Sequence, residues 1–244
     1  MFEAQSRDRA GLLLWMSHPC WPSFVWQTYD YYFEPTAAYF GCKKASEPLH
    51  IQWNRYADTI EVVNYSAGDV KGLSARAELL NMNGAKMQDR STALDSSEDS
   101  VVTCLRMEYP IGLTPVHFVR LTLTRGTDVL SSNLYLRGVE EGNYRAIRQL
   151  GSARVRTATT VVRQDNLWRL TTELENTSGW PALMTRLKVV RATSGDRILP
   201  AIYSDNYVTL LPGERRKILT ELRDADTRGE QPRMVVGGFN VAAV

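Results

Sequence analysis

From residue 49 onward, hydrophobic and polar positions alternate in short runs. Val119, Leu121 and Leu123 fall on one face, and Arg120, Thr122 and Thr124 on the other. This period of two marks a half-buried β-strand. The pattern predicts strands over Leu49–Trp53, Thr59–Asn64, Ser74–Met82, Lys86–Ser91, Val101–Met107, Val116–Arg125 and Asp128–Leu136. After Glu140-Glu141-Gly142-Asn143 a second set follows, over Arg154–Arg163, Leu167–Glu175, Met184–Arg191, Arg197–Ser204, Tyr207–Leu210, Arg215–Arg223 and Arg233–Phe239. In it Trp168, Leu170 and Leu174 oppose Arg169, Thr171 and Glu173. Asn81-Met82-Asn83-Gly84 carries an Asn-Gly hairpin signal, and Leu211-Pro212-Gly213-Glu214 fits a type II turn. Short runs at this spacing predict two immunoglobulin-like β-sandwiches of about 100 residues each.

The residues before 49 follow a different pattern. Residues 15–40 hold ten of the 23 aromatic side chains. Met1–Arg9 reads as a helix ended by Gly11. Leu12–Met16 is a continuous apolar run, suited to a strand buried on both faces, as in a parallel sheet under helices. Ser17–Pro22 reads as a loop. Ser23 is placed to cap a helix over Phe24–Phe33, with Val25, Tyr29 and Tyr32 on one face. Pro35 breaks that helix and starts another turn through Phe40. The single strand of this αβα piece would be an isolated sheet edge, so the piece is not expected to fold as a domain of its own. The expected architecture is mainly β: a short αβα piece over 1–48, then sandwiches over 49–142 and 143–244.

Composition excludes several function classes. Of 244 residues, 43% are hydrophobic and 23% charged, with a net charge of +2. That balance is globular and calls for neither nucleic acid nor an anionic membrane as partner. The basic residues are 23 Arg and 6 Lys, a bias toward fixed planar pairing with carboxylates. No run of 18 apolar residues is available for a membrane span, and Met1–Ala10 does not have the make-up of a signal peptide. Cys20, Cys42 and Cys104 are odd in number and far apart, and are expected as buried free thiols rather than a disulfide or zinc framework. His18, His50 and His117 are isolated, so no metal site is expected, and no cofactor-binding motif is present. No Ser lies in a Gly-x-Ser-x-Gly elbow. Asn64-Tyr65-Ser66 and Asn176-Thr177-Ser178 match the glycosylation acceptor pattern, which is common by chance.

The segment GLLLWMSHPCWPSFVWQTYDYY, Gly11 to Tyr32, resembles a segment of glycoside hydrolase family 2, in the branch of exo-β-D-glucosaminidases, β-mannosidases and endo-β-mannosidases. The similarity continues through Tyr39–Gln52 and returns at Arg197–Tyr207 and Leu211–Glu214, in matching order. It is weakest over residues 66–115. The resemblance implies a parent enzyme with a sugar-binding-like sandwich, an immunoglobulin-like domain, a TIM barrel and two further immunoglobulin-like domains. This chain would then be the end of the barrel plus the last two sandwiches. Met1–Arg9 would belong to the seventh barrel helix, Leu12–Met16 would be strand eight, and Ser23–Phe40 the eighth helical segment. Those missing N-terminal domains would be its partners in the same polypeptide.

Retaining glycoside hydrolysis uses two carboxylates about 5–5.5 Å apart, one as acid/base and one as nucleophile. In the family both are Glu at the ends of barrel strands four and seven, the first in an Asn-Glu pair. This sequence has no Asn-Glu dipeptide, and neither Glu3 nor Glu47 occupies a matching position. No catalytic residue is therefore expected, and the chain alone is expected to be inactive. What the resemblance leaves is one wall of the site for a β-linked saccharide. Trp15, at the C-terminal end of strand eight, would line the sugar pocket, against the alternative of a plain core Trp. His18 and Trp21, in the following loop, are further substrate-contact candidates, and Trp26 is assigned to helix packing. Tyr203-Ser-Asp-Asn-Tyr207 reads as a loop fixed by its own polar side chains, or as a contact toward the barrel.

The competing reading is a non-catalytic carbohydrate-binding or protein-interaction module of tandem sandwiches. In the fragment reading, the apolar strand-eight surface would be exposed and promote self-association. Which sugar the parent cleaves, and whether Met1 is the natural start, are not fixed by these residues. Localisation is likewise open, and a periplasmic or secreted parent is compatible with the resemblance.

Overall fold

The computed structural model describes residues 13–23 and 26–243. The predicted helix Met1–Arg9 and its Gly11 stop lie outside the described residues, as do Leu12, Phe24 and Val25. The described residues divide into two compact units, one of residues 13–14 and 41–149, the other of residues 15–40 and 150–243.

In the first unit, β1 (Leu49–Asn54), β2 (Thr59–Asn64) and β5 (Ser100–Arg106) form an antiparallel sheet in the order β1-β2-β5. A second sheet has the order β4-β3-β6-β7, from β3 (Val70–Asn81), β4 (Lys86–Ser96), β6 (Val116–Arg125) and β7 (Asp128–Gly138). The alternation read from the sequence is borne out: Val119, Leu121 and Leu123 are buried with Ile51, Ile60, Val62 and Leu79 in one cluster. The Asn-Gly signal closes the β3–β4 hairpin. There Asn81 N–H donates to the Ala85 carbonyl, and Gly84 takes a φ of +88° that suits glycine.

In the second unit, β8 (Val155–Gln164), β9 (Leu167–Asn176), β11 (Ile202–Tyr203) and β13 (Arg215–Arg223) form a sheet ordered β11-β13-β9-β8. Facing it is β12-β10-β14, from β10 (Ala182–Arg191), β12 (Val208–Leu210) and β14 (Pro232–Gly237). Leu170 and Leu174 are buried as the pattern required, with Leu187, Val189, Ile198, Leu210, Ile218 and Val236. Phe40, from helix α1 (Ala37–Ala45), joins this core. The predicted strand Arg197–Ser204 shortens to Ile202–Tyr203, because Pro200 has no N–H for a ladder. The Arg surplus is spent partly on cross-strand pairs: Arg120 with Glu78, Arg169 with Glu221, and Arg156 and Arg215 with Glu175.

Two expectations before residue 49 are corrected. Residues 13–16, the described part of Leu12–Met16, are not in a strand. No described strand pairs with them, and Leu13 and Trp15 are 98% and 81% exposed. The predicted helix Phe24–Phe33 is not helical over its described residues either. Tyr29 and Pro35 form an antiparallel bridge, and Asp30 N–H donates to the Glu34 carbonyl at 2.9 Å. The cause is Asp30, whose Oδ1 accepts the backbone N–H of Tyr32 at 2.8 Å and of Glu34 at 2.9 Å. A side chain that captures backbone donors in this way competes directly with a helix. The thiols also differ from expectation: all three are free, but Cys20 is exposed and the other two are only partly buried. Among the described residues, no helix is long and apolar enough to cross a membrane.

Candidate functional site

The chemistry-bearing residues concentrate in residues 15–36 and in the parts of the second unit that hold them. The centre is a small hairpin. Thr28 and Thr36 pair across it, Thr36 N–H donating to the Thr28 carbonyl at 2.9 Å, and Thr36 Oγ1 donates to the Gln27 carbonyl at 2.6 Å. Ser17 is tied to the same hairpin, its carbonyl accepting Tyr29 N–H at 3.0 Å and Thr28 Oγ1–H at 3.2 Å. The tip carries Tyr31, Tyr32 and Phe33, all exposed. Phe33 sits at φ +63°, in the left-handed region that bulky residues rarely occupy.

Three of the predicted residues can now be placed. His18 stacks on Phe33 with ring centroids 4.1 Å apart and planes 10° from parallel, and its Nε2–H donates to the Tyr31 carbonyl at 3.1 Å. Trp15 is joined to Trp26, whose Nε1–H donates to the Trp15 carbonyl at 3.3 Å, leaving both indoles exposed. Trp26 therefore is not packed in a helix. Trp21 is also exposed, and among the described residues no bond or ring contact ties it to the others.

The hairpin is fixed from beneath by a carboxylate that sequence reasoning missed. Glu34 is almost fully buried, with its Oε1 accepting from Arg186 Nη2 at 2.5 Å and its Oε2 from Arg197 Nη1 at 2.7 Å. Arg197 also reaches Asp30 at 3.4 Å and lies 4.4 Å from the centre of the Tyr32 ring. A buried carboxylate shared by two guanidiniums is a strong, directional anchor. The available signal was Arg197, within a stretch that carries the family resemblance, but nothing in the sequence linked it to Glu34. The arrangement offers planar apolar faces with polar edges, which suits stacking on the C–H face of a sugar. It contains no pair of free carboxylates, since Asp30 and Glu34 are both engaged with Arg197.

The loop Tyr203–Tyr207 is structural in its contacts. Asn206 is buried, accepting Leu187 N–H at 2.8 Å and donating to the Leu187 carbonyl at 2.9 Å, so its amide stands in for a strand residue beside β10. Tyr203 Oη accepts Val189 N–H at 3.0 Å.

Residues 133–241 match the family described as the exo-β-D-glucosaminidase Ig-fold domain. The chain is 34% identical over 263 residues to an exo-β-D-glucosaminidase of Streptomyces avermitilis, covering 97% of this chain and 29% of that protein. It is 28% identical over 130 residues to a mannosylglycoprotein endo-β-mannosidase of Lilium longiflorum, covering 51% of this chain and 14% of that protein. The crystal structure of the Amycolatopsis orientalis exo-chitosanase superposes with a TM-score of 0.85 at 28% identity, covering 94% of this chain and 30% of that one. The chain thus spans under a third of the length of these relatives. Along nearly its whole length, in sequence and in fold, it corresponds to the C-terminal region of exo-β-D-glucosaminidases of glycoside hydrolase family 2, and over about half of its length it is also similar in sequence to an endo-β-mannosidase.

Proposed function

We propose that the chain is the C-terminal part of a retaining exo-β-glycosidase of β-mannosidase or exo-β-glucosaminidase type. It would complete and support a catalytic barrel without supplying the catalytic carboxylates. The observation that carries this reading is the exposed aromatic surface around His18 and Phe33, held rigid by the buried Glu34. In this reading residues 1–48 end the barrel, 49–142 and 143–244 are the two sandwiches, and Trp15, His18 and Trp21 form one wall of the pocket for a β-linked saccharide. Indole and imidazole faces supply apolar burial against the sugar ring, and the acid/base and nucleophile come from upstream residues.

The test is a sequencing read through the DNA upstream of the Met1 codon. The expected result is an in-frame extension encoding a barrel with an Asn-Glu pair and a second strand-end Glu. A stop codon and ribosome-binding site directly upstream would overturn the proposal. Assayed alone on aryl β-D-glucosaminide and β-D-mannoside, the chain is expected to give no turnover, and clear turnover would refute the assignment of the chemistry to other residues. The exposure of Leu13, Trp15, Trp21 and Trp26 also leads us to expect self-association of the isolated chain. Sedimentation velocity that finds only monomer across a wide concentration range would remove that part of the proposal.

A further inference from the structure

A second site is indicated at one end of the first sandwich. The core-facing row of β6 runs His117, Val119, Leu121 and Leu123. The last three are apolar and fully buried, and His117, only 1% exposed, is the polar exception. His117 lies directly across from Arg137 on β7 and Asn81 on β3. Among the described residues neither of its ring nitrogens has a hydrogen-bond partner, although both are shielded from solvent. The Thr114 backbone comes near enough to favour the protonated ring but does not complete a hydrogen bond. Burial, reinforced by the Arg137 charge, nonetheless holds the imidazole below its usual protonation range. The neutral ring keeps one N–H donor and one bare acceptor. Polar groups buried in this way are normally satisfied, and exceptions call for a reason.

Beside His117 is a cavity of about 290 Å³, lined on its apolar side by Pro110, Leu113 and Val139 and on its polar side by Tyr109 and Arg137. The polar side is preorganised. Tyr109 Oη–H donates to Asp58 Oδ1 at 2.7 Å, and the same oxygen accepts Trp53 Nε1–H at 3.0 Å and Arg137 Nη1 at 3.3 Å. The Arg137 guanidinium lies 4.0 Å from the centre of the Trp53 ring. Leu113 and Val139 also border a second concavity of about 490 Å³, with Glu140, Asn143, Arg145 and Gln149 as its polar groups, Asn143 Nδ2–H donating to Glu140 Oε2 at 3.0 Å. Together the two make a groove. Its first compartment is at the small end of ligand pockets, mostly apolar with a few fixed polar groups, which suits a single ring rather than a drug-sized molecule. A neutral imidazole answers a hydroxyl, which both donates and accepts. A cation is disfavoured beside Arg137, and Arg137 is already paired with Asp58, so an anion gains little.

We propose that this end of the first compact unit, which runs through residue 149, binds one neutral pyranose unit of a saccharide chain, with the next unit running along the Asn143–Gln149 side. The site is separate from the aromatic hairpin, and its ligand class is argued from its own lining.

The chain has three histidines, so imidazole signals in a ¹H–¹³C spectrum of the full chain resolve the question. The ligands titrated are methyl β-D-glucopyranoside, methyl β-D-mannopyranoside, methyl N-acetyl-β-D-glucosaminide, methyl β-D-glucosaminide, methyl β-D-glucuronide and glycerol. The neutral glycosides are expected to move the His117 signal saturably. The glucosaminide and glucuronide should bind about ten-fold more weakly or worse, and glycerol should have no saturable effect. His18 reports on the aromatic hairpin, so failure there and failure at His117 are read separately. Leu113→Trp, which narrows the cavity, is expected to abolish the His117 response while leaving the His50 signal in place. If that variant does not fold, calorimetric titration of His117→Leu gives the same test through loss of the binding heat. A His117 signal unmoved by every pyranoside, moved equally by glycerol, or moved most by the charged sugars would overturn the proposal.

Discussion

Removing the charge of Glu34 is the sharpest test of what holds the aromatic hairpin. Glu34→Gln keeps the side-chain shape but leaves Arg186 and Arg197 sharing a neutral amide. The amide oxygen can satisfy one guanidinium, and the amide N–H₂ then faces the other. The Glu34 carboxylate is 5% exposed, whereas the Arg186 and Arg197 side chains are 39% and 29% exposed. Breaking a fully buried pair costs about 3–5 kcal/mol. Here water can reach both guanidiniums and recover part of that, so a loss of about 2 kcal/mol is expected. The assay is urea unfolding followed by tryptophan fluorescence, since three of the six Trp lie in residues 15–26. With an m-value of about 2 kcal/mol/M, the midpoint of the hairpin-bearing unit should fall by about 1 M. A double-mutant cycle with Arg197→Met isolates the pair, and a coupling of about 1 kcal/mol or more is expected. A midpoint shift below about 0.2 M, or strict additivity in the cycle, would show that Glu34 does not anchor the hairpin.

Three further outcomes are expected. Burial opposes ionisation of Glu47, but hydrogen bonds from His50, Lys44 and Ser131 outweigh it and hold the carboxyl at about 2 instead of 4.5. Its folded-state value is lowered, so it contributes about 3 kcal/mol above pH 4.5 that is lost as pH falls toward 2. Glu47→Gln should remove that slope from melting temperatures recorded between pH 5 and 2, and an unchanged slope would discard the assignment. Asn206→Ala leaves both backbone groups of Leu187 without their partner; a loss of about 3 kcal/mol is expected, with faster hydrogen exchange at the Leu187 amide. Gly138→Ala would place a Cβ 2.6 Å from the backbone oxygens of Glu140 and Asn143, so the loop must shift, and a lower melting temperature worth about 2 kcal/mol should follow.

How much was legible in the sequence depends on where each residue finds its partners. The run Val116–Arg125 was read to its ends because alternation is a local signal, and the sandwich core enforces the same period of two. The turn at Leu211–Glu214 was read for a similar reason: Pro212 and Gly213 fix the backbone, and Gly213 does adopt φ +79°. The Asp30 hairpin was missed although its signal is equally local. Val25, Tyr29 and Tyr32 have helical spacing, but one Asp carboxylate placed to take two backbone N–H groups outweighs that periodicity. Glu34 was not legible at all, because its partners lie 152 and 163 residues away in sequence. His117 shows a third case. Its position in an otherwise apolar row was visible in the alternation, yet one polar residue in such a row has no meaning until its neighbours are known. Only the placement of Arg137 and Asn81 on either side, with Leu113 and Val139 closing the cavity, turns that exception into a candidate site. The apolar run Leu13–Met16 is the inverse: its hydrophobicity is plain, but the described residues give it no cover, with Leu13 and Trp15 almost fully exposed. A continuous apolar run marks a surface that requires burial but does not say against what. The same residues therefore support the barrel-end proposal and, for the isolated chain, the expectation of self-association, and the shielding of Trp15 tests each in turn. In a completed barrel its indole lines the sugar pocket, so it should become shielded from a soluble quencher such as iodide when a saccharide is bound, at any protein concentration, while the hairpin stays as described. In a self-associating chain, shielding should rise with protein concentration.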